Sequence, residues 1–244
     1  MPMKILVTSG GTKVPIDLVR SITNMSRGTF GSKIAVELLK QDHEIELTYL
    51  GAAEFRFPFK FSVDFTNTPA NPLIEALKLW RLWKKVKHYR QLTYKTYDQY
   101  AALLKKFILE EKPDLVILAA AVSDYVVADP VDGKIRSEDD LTIALKPAEK
   151  LIGKIKEWHP GCKVVGFKLL VNSQTTQLIE AAQKSVEKNG CCFVVANDLR
   201  DIKAGSHQLH IVTKSSVENL QTDPDDPNYL ARAVAIKALK ELEK

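Results

Sequence analysis

Short apolar runs and longer amphipathic stretches alternate along the chain, so most pairs read as a strand followed by a helix. Lys4 to Thr8 is an apolar run that ends in Ser9-Gly10-Gly11-Thr12, a buried strand followed by a turn. Residues 13–27 are polar and irregular, and Ile34, Val36, Leu38 and Leu39 then mark a helix from Thr29 to Lys40. Glu44 to Leu50 alternates as a strand, and Lys60 to Phe65 is a further strand candidate. Leu73 to Glu111 reads as two long helices with a break near Tyr89–Thr93, ended by Pro113. Leu115 to Val122 is almost unbroken in its apolarity, as a central parallel strand is.

Residues 126–140 mix Asp, Pro, Gly and charges of both signs and read as a mobile loop. Helices over Ala148–Trp158, Thr175–Lys188 and Asn228–Glu243 then alternate with strands over Val164–Phe167, Phe193–Val195 and Gln208–Val212. Neither an internal repeat nor a low-complexity linker interrupts this order. The alternation predicts an α/β fold: a doubly wound, mostly parallel sheet in a Rossmann-like three-layer architecture. The expected organisation is a single domain over 1–244, with a helical insertion at about 70–112 and a flap loop at about 126–140.

Composition narrows the class. At 45% hydrophobic and 27% charged residues, the 244-residue chain is globular rather than disordered, collagen-like or coiled-coil. No run approaches the ~18 apolar residues of a membrane span, and the first residues do not form a signal peptide. Three cysteines, two of them adjacent, make no disulfide framework, so a reducing cytoplasm is the expected compartment. A formal net charge of +5 suits phosphorylated anionic substrates and nucleic acid equally.

The candidate chemistry lies after the strands, where ligands bind in such sheets. Gly10 and Gly11 follow the first strand, and Gly28 and Gly31 open the first long helix. Glycines admit close backbone approach and a helix N-terminus favours an anion, but the spacing matches neither dinucleotide nor P-loop fingerprints. Glycines that only make turns remain the other reading. Ala119-Ala120-Ala121 leave room for a planar group, and Asp124 beyond them can either accept from a base or sugar or cap its loop.

Lys184 and Lys188, four apart on one helix, either bracket an anion or form a solvated face. Lys134 and Arg136 are either loop decoration or part of a phosphate-closing flap. Residues 78–95 hold seven cations without an acid, interleaved with Trp80, Trp83, Tyr89 and Tyr94. A surface helix with inward tryptophans is favoured there over a nucleic-acid site. Neither His207 and His210 nor Cys162 and Cys191-Cys192 fit a zinc or nucleophile pattern, and no serine sits in G-x-S-x-G.

Taken in order, six segments resemble the phosphopantothenate–cysteine ligase family of coenzyme A biosynthesis. They are Thr8-Ser9-Gly10-Gly11-Thr12 with Pro15 to Asn24, Gly28 and Gly31; Ala119 to Tyr125; Gly133-Lys134-Ile135-Arg136-Ser137; Gly166-Phe167-Lys168; Ala182-Gln183-Lys184 with Lys188-Asn189; and Ala196-Asn197-Asp198-Leu199. The resemblance covers nearly the whole chain except about 52–112. It implies a two-step ligase. A nucleoside triphosphate with Mg²⁺ activates the carboxylate of 4′-phosphopantothenate as an acyl-nucleotidyl anhydride, releasing pyrophosphate. The amine of L-cysteine then displaces the nucleotide. Such a site must hold two anions together, offset charge on the transferring phosphorus and exclude water.

The resemblance also implies roles. Asn24 orients the activated acyl group, and Lys134 closes over the intermediate and triphosphate. Asp124, with the backbone at Ala120, recognises the nucleotide, and Phe167 flanks the base. Lys184 and Lys188 hold the triphosphate; Gly10, Gly11, Gly28 and Gly31 line the pocket; Arg20 and Arg136 serve the substrate anions. Many bacterial members have a K-x-K-K flap, whereas this chain has Lys134-Ile135-Arg136-Ser137. CTP is expected over ATP, from likeness to the stand-alone bacterial form. No flavin is expected, since the chain starts at the ligase strand, and a separate phosphopantothenoylcysteine decarboxylase is expected downstream. A homodimer is expected, with the strand around Gln208–Val212 at its interface. No membrane partner is expected. The alternatives are a Rossmann-type NAD(P)-dependent reductase and a non-enzymatic nucleic-acid-binding protein using 78–95. The reductase lacks its fingerprint and a Tyr-x-x-x-Lys pair.

Overall fold

The most continuously apolar runs of the sequence become the interior strands of one sheet, because each is covered by helices on both faces. The computed structural model describes residues 2–41, 44–54, 57–59, 71–136, 140–203 and 208–244. Its strands are β1 (Met3–Gly11), β2 (Lys13–Pro15), β3 (Ser21–Thr23), β4 (Ile45–Ala52), β5 (Tyr89–Tyr94), β6 (Leu115–Ala121), β7 (Tyr125–Val127), β8 (Leu145–Pro147), β9 (Lys163–Leu170), β10 (Phe193–Asp198), β11 (Gln208–Val212) and β12 (Val217–Gln221). Its helices are α1 (Thr29–Lys40), α2 (Asn71–Lys85), α3 (Tyr97–Glu111), α4 (Leu151–Trp158), α5 (Thr175–Asn189), α6 (Leu199–Lys203) and α7 (Tyr229–Leu242).

Eight of these strands pair in the order β12-β11-β10-β9-β6-β1-β4-β5. The six from β5 to β10 run parallel, and β11 and β12 add an antiparallel hairpin at one edge. Successive residues of a strand serve opposite faces. Ile5, Val7, Leu47, Tyr49, Ile117 and Val195 pack with Ile34 and Leu38 of α1 and Val234 and Ala238 of α7. Leu6, Leu50, Val116, Val164 and Val194 pack on the other side with α3, α4 and α5, through Leu104, Ile108, Ile155, Leu178 and Val186. The result is the expected three-layer, mostly parallel α/β architecture.

Several local expectations change. The break near Tyr89–Thr93 is a strand, β5, paired in parallel with β4 at the sheet edge. Among the described residues its one neighbour in the sheet is β4, and with half-exposed side chains it lacks the apolar run that marks interior strands. Between 71 and 111 the chain is therefore helix, strand, helix, and α3 buries Tyr100, Leu104 and Ile108 in the core instead of forming a helical excursion. Residues 13–27 contain a small hairpin, β2–β3. The loop expected at 126–140 begins later, because Tyr125–Val127 pairs antiparallel with Leu145–Pro147. The expected interface strand β11 is sandwiched between β10 and β12, so its edges are already paired. The strand candidate Lys60–Phe65 lies outside the described residues.

Among the described residues, no helix is long and apolar enough to cross a membrane.

Candidate functional site

β1 leads through α1 to β4 on one side, while β6 flanks its other side. The winding direction therefore changes between the carboxyl ends of β1 and β6, which is where sheets of this kind form the crevice that takes a ligand. Gly10 makes the turn at this edge possible. Its φ is +90°, and a Cβ there would lie 2.6 Å from the Cβ of Ala52. Gly31, in the first turn of α1, rests directly on β1: a Cβ would meet the Ser9 hydroxyl at 2.3 Å. Ser9 Oγ donates to the carbonyl of Gly28 at 2.9 Å, fixing the helix start against the strand end. The first turn of α1 has no acidic side chain, so the positive end of the helix dipole favours an anion there.

The opposite wall is β6, where Ala120 stands level with Gly10 and Ala121 with Gly11. Ala119, Ala120 and Ala121 are only half-buried. Thr12 stitches the two walls: its N–H donates to Ala121 O at 3.2 Å, and its hydroxyl accepts from Ser123 N at 2.9 Å. Asn24 crosses the same gap, its Nδ2 donating to Ala121 O at 2.7 Å. The bond fixes the half-buried amide of Asn24 at the junction of the glycine loop and β6. Gly11 completes this junction, since a Cβ there would lie 2.7 Å from the carbonyl oxygen of Asn24.

Phe167, near the carboxyl end of β9, meets Phe30 of α1 edge-on, with centroids 6.1 Å apart. That contact brings Phe167 to the helix side of the crevice. Asp124 is exposed and ion-paired to Lys150, the N-cap residue of α4. Both side chains are two-thirds exposed, so water screens the pair and the carboxylate can exchange partners at little cost.

Lys184 and Lys188 are not drawn into this constellation. Both are exposed, on the face of α5 opposite Leu178, Ala182 and Val186. Lys188 occupies the last turn, whose Gly190 cap leads toward the amino end of β10.

The loop carrying Lys134 and Arg136 is anchored rather than loose. Leu18 N donates to Gly133 O at 2.9 Å, Val131 N to Ile16 O at 3.0 Å, and Ile135 N to Asp17 Oδ2 at 3.1 Å. Lys134 and Arg136 themselves are exposed, and Ser137 lies outside the described residues. Arg20, expected to serve substrate anions, instead bonds Asp17 Oδ2 at 3.1 Å and Ile135 O at 3.2 Å. Asp17 is buried, which opposes its charge. The N–H groups of Val19, Arg20 and Ile135 and the Arg20 guanidinium outweigh that and hold its carboxyl below the usual range.

Asp198, in the Ala196-Asn197-Asp198-Leu199 motif, is also buried and structural. It accepts from Ser173 N at 2.8 Å, Ser173 Oγ at 2.9 Å, Asn172 N at 3.1 Å and Arg200 N at 2.8 Å. These donors, Ser173 foremost, lower its pKa to about 2. Burial pushes the thiols of Cys162 and Cys191 up to about 12, so neither is a nucleophile at neutral pH. His210 is buried and bonds Asn219 at 2.6 Å, while His207 lies outside the described residues. Among the described residues, no group of three or more His, Cys, Asp or Glu could hold a metal ion.

On α2, Trp83 packs edge-on with Tyr89, and Trp80 lies beneath Lys84 at 4.5 Å. Both tryptophans remain about half exposed, so the expected inward packing is only partial.

Asp17 and Thr12 lie in motifs quoted above but carry no role there, and Lys150 is not among the site residues read from the sequence. An acid three residues before Arg20, between two apolar neighbours, was the available signal for Asp17. Thr12 and Lys150 carry no local signal, because their partners come from distant segments.

The family model described as "DNA/pantothenate metabolism flavoprotein C-terminal domain" matches residues 2–68 and 92–240. The chain is 30% identical over 241 residues to the "Coenzyme A biosynthesis bifunctional protein CoaBC" of Thermococcus kodakarensis, covering 99% of this chain and 51% of that one. It is 29% identical over 246 residues to the "Phosphopantothenate--cysteine ligase" of Mus musculus, covering 88% of this chain and 78% of that one. The solved "DNA/Pantothenate Metabolism Flavoprotein" of Streptococcus pneumoniae superimposes with a TM-score of 0.74 at 27% identity, over 99% of this chain and 98% of that one. The chain thus spans about half the length of the bifunctional relatives it matches.

Proposed function

Given that the chain belongs to the family of the DNA/pantothenate metabolism flavoprotein C-terminal domain, we propose that it is a phosphopantothenate–cysteine ligase of coenzyme A biosynthesis. The observation that carries this reading is the junction of the glycine loop, α1 and Asn24 at the carboxyl ends of β1 and β6. It brings together the acid-free N-terminus of α1, the glycine loop and the tethered amide of Asn24. Such a site suits a reaction in which two anions must be held side by side and no acid–base triad is required.

In this reading, 4′-phosphopantothenate and a nucleoside triphosphate occupy the crevice, and an acyl-nucleotidyl anhydride forms. Gly10, Gly11, Gly28 and Gly31 let backbone N–H groups approach the phosphates. Asn24 orients the acyl carbonyl, and Lys134 and Arg136 offset phosphate charge. Asp124 and the backbone at Ala120 recognise the base, flanked by Phe167. L-Cysteine then attacks the anhydride. CTP, giving an acyl-cytidylate, is the favoured nucleotide. Mg²⁺ would reach the site on the triphosphate, since among the described residues no group of three or more His, Cys, Asp or Glu could hold it. Lys184 and Lys188 would act on the triphosphate only at a distance from their places on α5. A second copy of the chain has a surface to meet, because Leu18, Val19, Ile22 and Met25 expose apolar side chains around β3.

The test is pyrophosphate release with 4′-phosphopantothenate, Mg²⁺ and either CTP or ATP, with and without cysteine. Release that requires phosphopantothenate, and condensed product only with cysteine, is the expected result. Lys134→Ala and Asn24→Ala should each lower kcat about 10²–10³-fold. Folded protein that releases no pyrophosphate with either nucleotide would overturn the assignment.

A further inference from the structure

The side chain of Asp17 divides its two oxygens between two tasks. Oδ1 accepts from Val19 N at 2.8 Å and Arg20 N at 2.6 Å, closing the local turn between β2 and β3. Oδ2 accepts from Ile135 N at 3.1 Å and from Arg20 Nη1 at 3.1 Å. Arg20 Nη1 in turn donates to Ile135 O at 3.2 Å. The peptide on either side of Ile135 is thus held by one buried acid and one guanidinium. Two more bonds, Leu18 N to Gly133 O and Val131 N to Ile16 O, pin the residues before it. Lys134 sits between the held residues Gly133 and Ile135.

We propose that Asp17 is a positioning residue: with Arg20 it clamps the loop bearing Lys134 onto the β2–β3 segment and so presents the ammonium of Lys134 to the crevice. The β2–β3 segment leads directly to Asn24, which is itself tied to β6, so one rim carries both groups. Lys134 is therefore preset at the rim instead of swinging in on a free flap. The kinetic part of this inference rests on the ligase reading; the clamp itself does not.

Asp17→Asn separates the two tasks. The amide oxygen can keep the turn, while its NH₂ would face the N–H of Ile135 and the guanidinium of Arg20, donor against donor. The variant should be cut by trypsin at the Lys134–Ile135 bond about tenfold faster than the parent, with cleavage outside this loop and the Asp17–Arg20 turn unchanged. It should also lower kcat/KM about tenfold in the parent, yet change it by less than about twofold in a Lys134→Ala background, since the two act through one group. Unaltered cleavage at Lys134 would overturn the clamp, and additive kinetic losses would overturn its action through Lys134. If the parent chain proves inactive, the ligase reading fails but the cleavage comparison still decides the clamp. If Asp17→Asn does not fold, Arg20→Gln removes the guanidinium's half of the clamp, its bonds to Ile135 O and Asp17 Oδ2, and is judged by the same cleavage.

Discussion

The hydroxyl of Tyr94 reaches from the edge strand β5 to the carbonyl of Gly10 at 3.1 Å and to that of Ser9 at 2.9 Å. Tyr94 is buried, and its ring packs on Tyr100, whose hydroxyl meets Thr8 Oγ1 at 3.3 Å. The edge strand thus braces the glycine turn through these two carbonyls. Tyr94→Phe keeps the ring and removes the donor. Leaving these carbonyls short of a partner costs about 1–3 kcal/mol. For a chain of this size the melting temperature falls by about 2–4 °C per kcal/mol, readable by circular dichroism. If the turn serves the reaction as proposed, kcat should fall about tenfold with little change in KM.

Gly31 tests the seating of α1. A methyl at Gly31 would overlap Ser9 Oγ at 2.3 Å and Ser9 Cβ at 2.7 Å, so helix and strand must part. Overpacking of this kind costs about 1–3 kcal/mol. Gly31→Ala should therefore lower the denaturation midpoint in urea, whereas Gly133→Ala, with nothing within 4 Å of its Cβ, should lower it through backbone strain alone (φ +141°).

Asp198 sets an acid limit. Its carboxyl titrates near 2 in the folded chain and near 3.9 when unfolded, so the folded state favours the ionised form. Its stabilising contribution is complete above the unfolded value and is lost as pH falls through the folded one. Thermal melts should show stability declining between about pH 4 and pH 2. In Asp198→Asn the melting temperature should be lower at neutral pH and this part of the acid dependence should vanish.

Asp124 tests nucleotide recognition. Its exposed pair with Lys150 contributes little to folding, so Asp124→Ala should leave the melting temperature nearly unchanged. Under the proposed assignment, the KM for the nucleotide should rise about tenfold while kcat changes little. Steady-state kinetics with CTP and with ATP checks both the role and the base preference.

The α/β class, the central strand Leu115–Ala121, the helix Thr29–Lys40 and the strand Gln208–Val212 were legible in the sequence because a local apolar rhythm is enough to specify them. The glycines of the first turn were legible as well, since only a backbone without Cβ fits a φ of +90° or a 2.3 Å approach. What tertiary structure decided is whatever depends on a partner distant in the chain. Tyr89–Tyr94 becomes a strand because β4 offers it an edge, not because of its own pattern. Arg20 is engaged by Asp17 and Ile135 rather than left facing the crevice, a contact 115 residues away along the chain. Lys184 and Lys188 share a helix face by spacing, but the packing of Leu178, Ala182 and Val186 turns that face to solvent. Periodicity encodes which side of an element is buried; which buried groups then meet is set by the order and register of the strands.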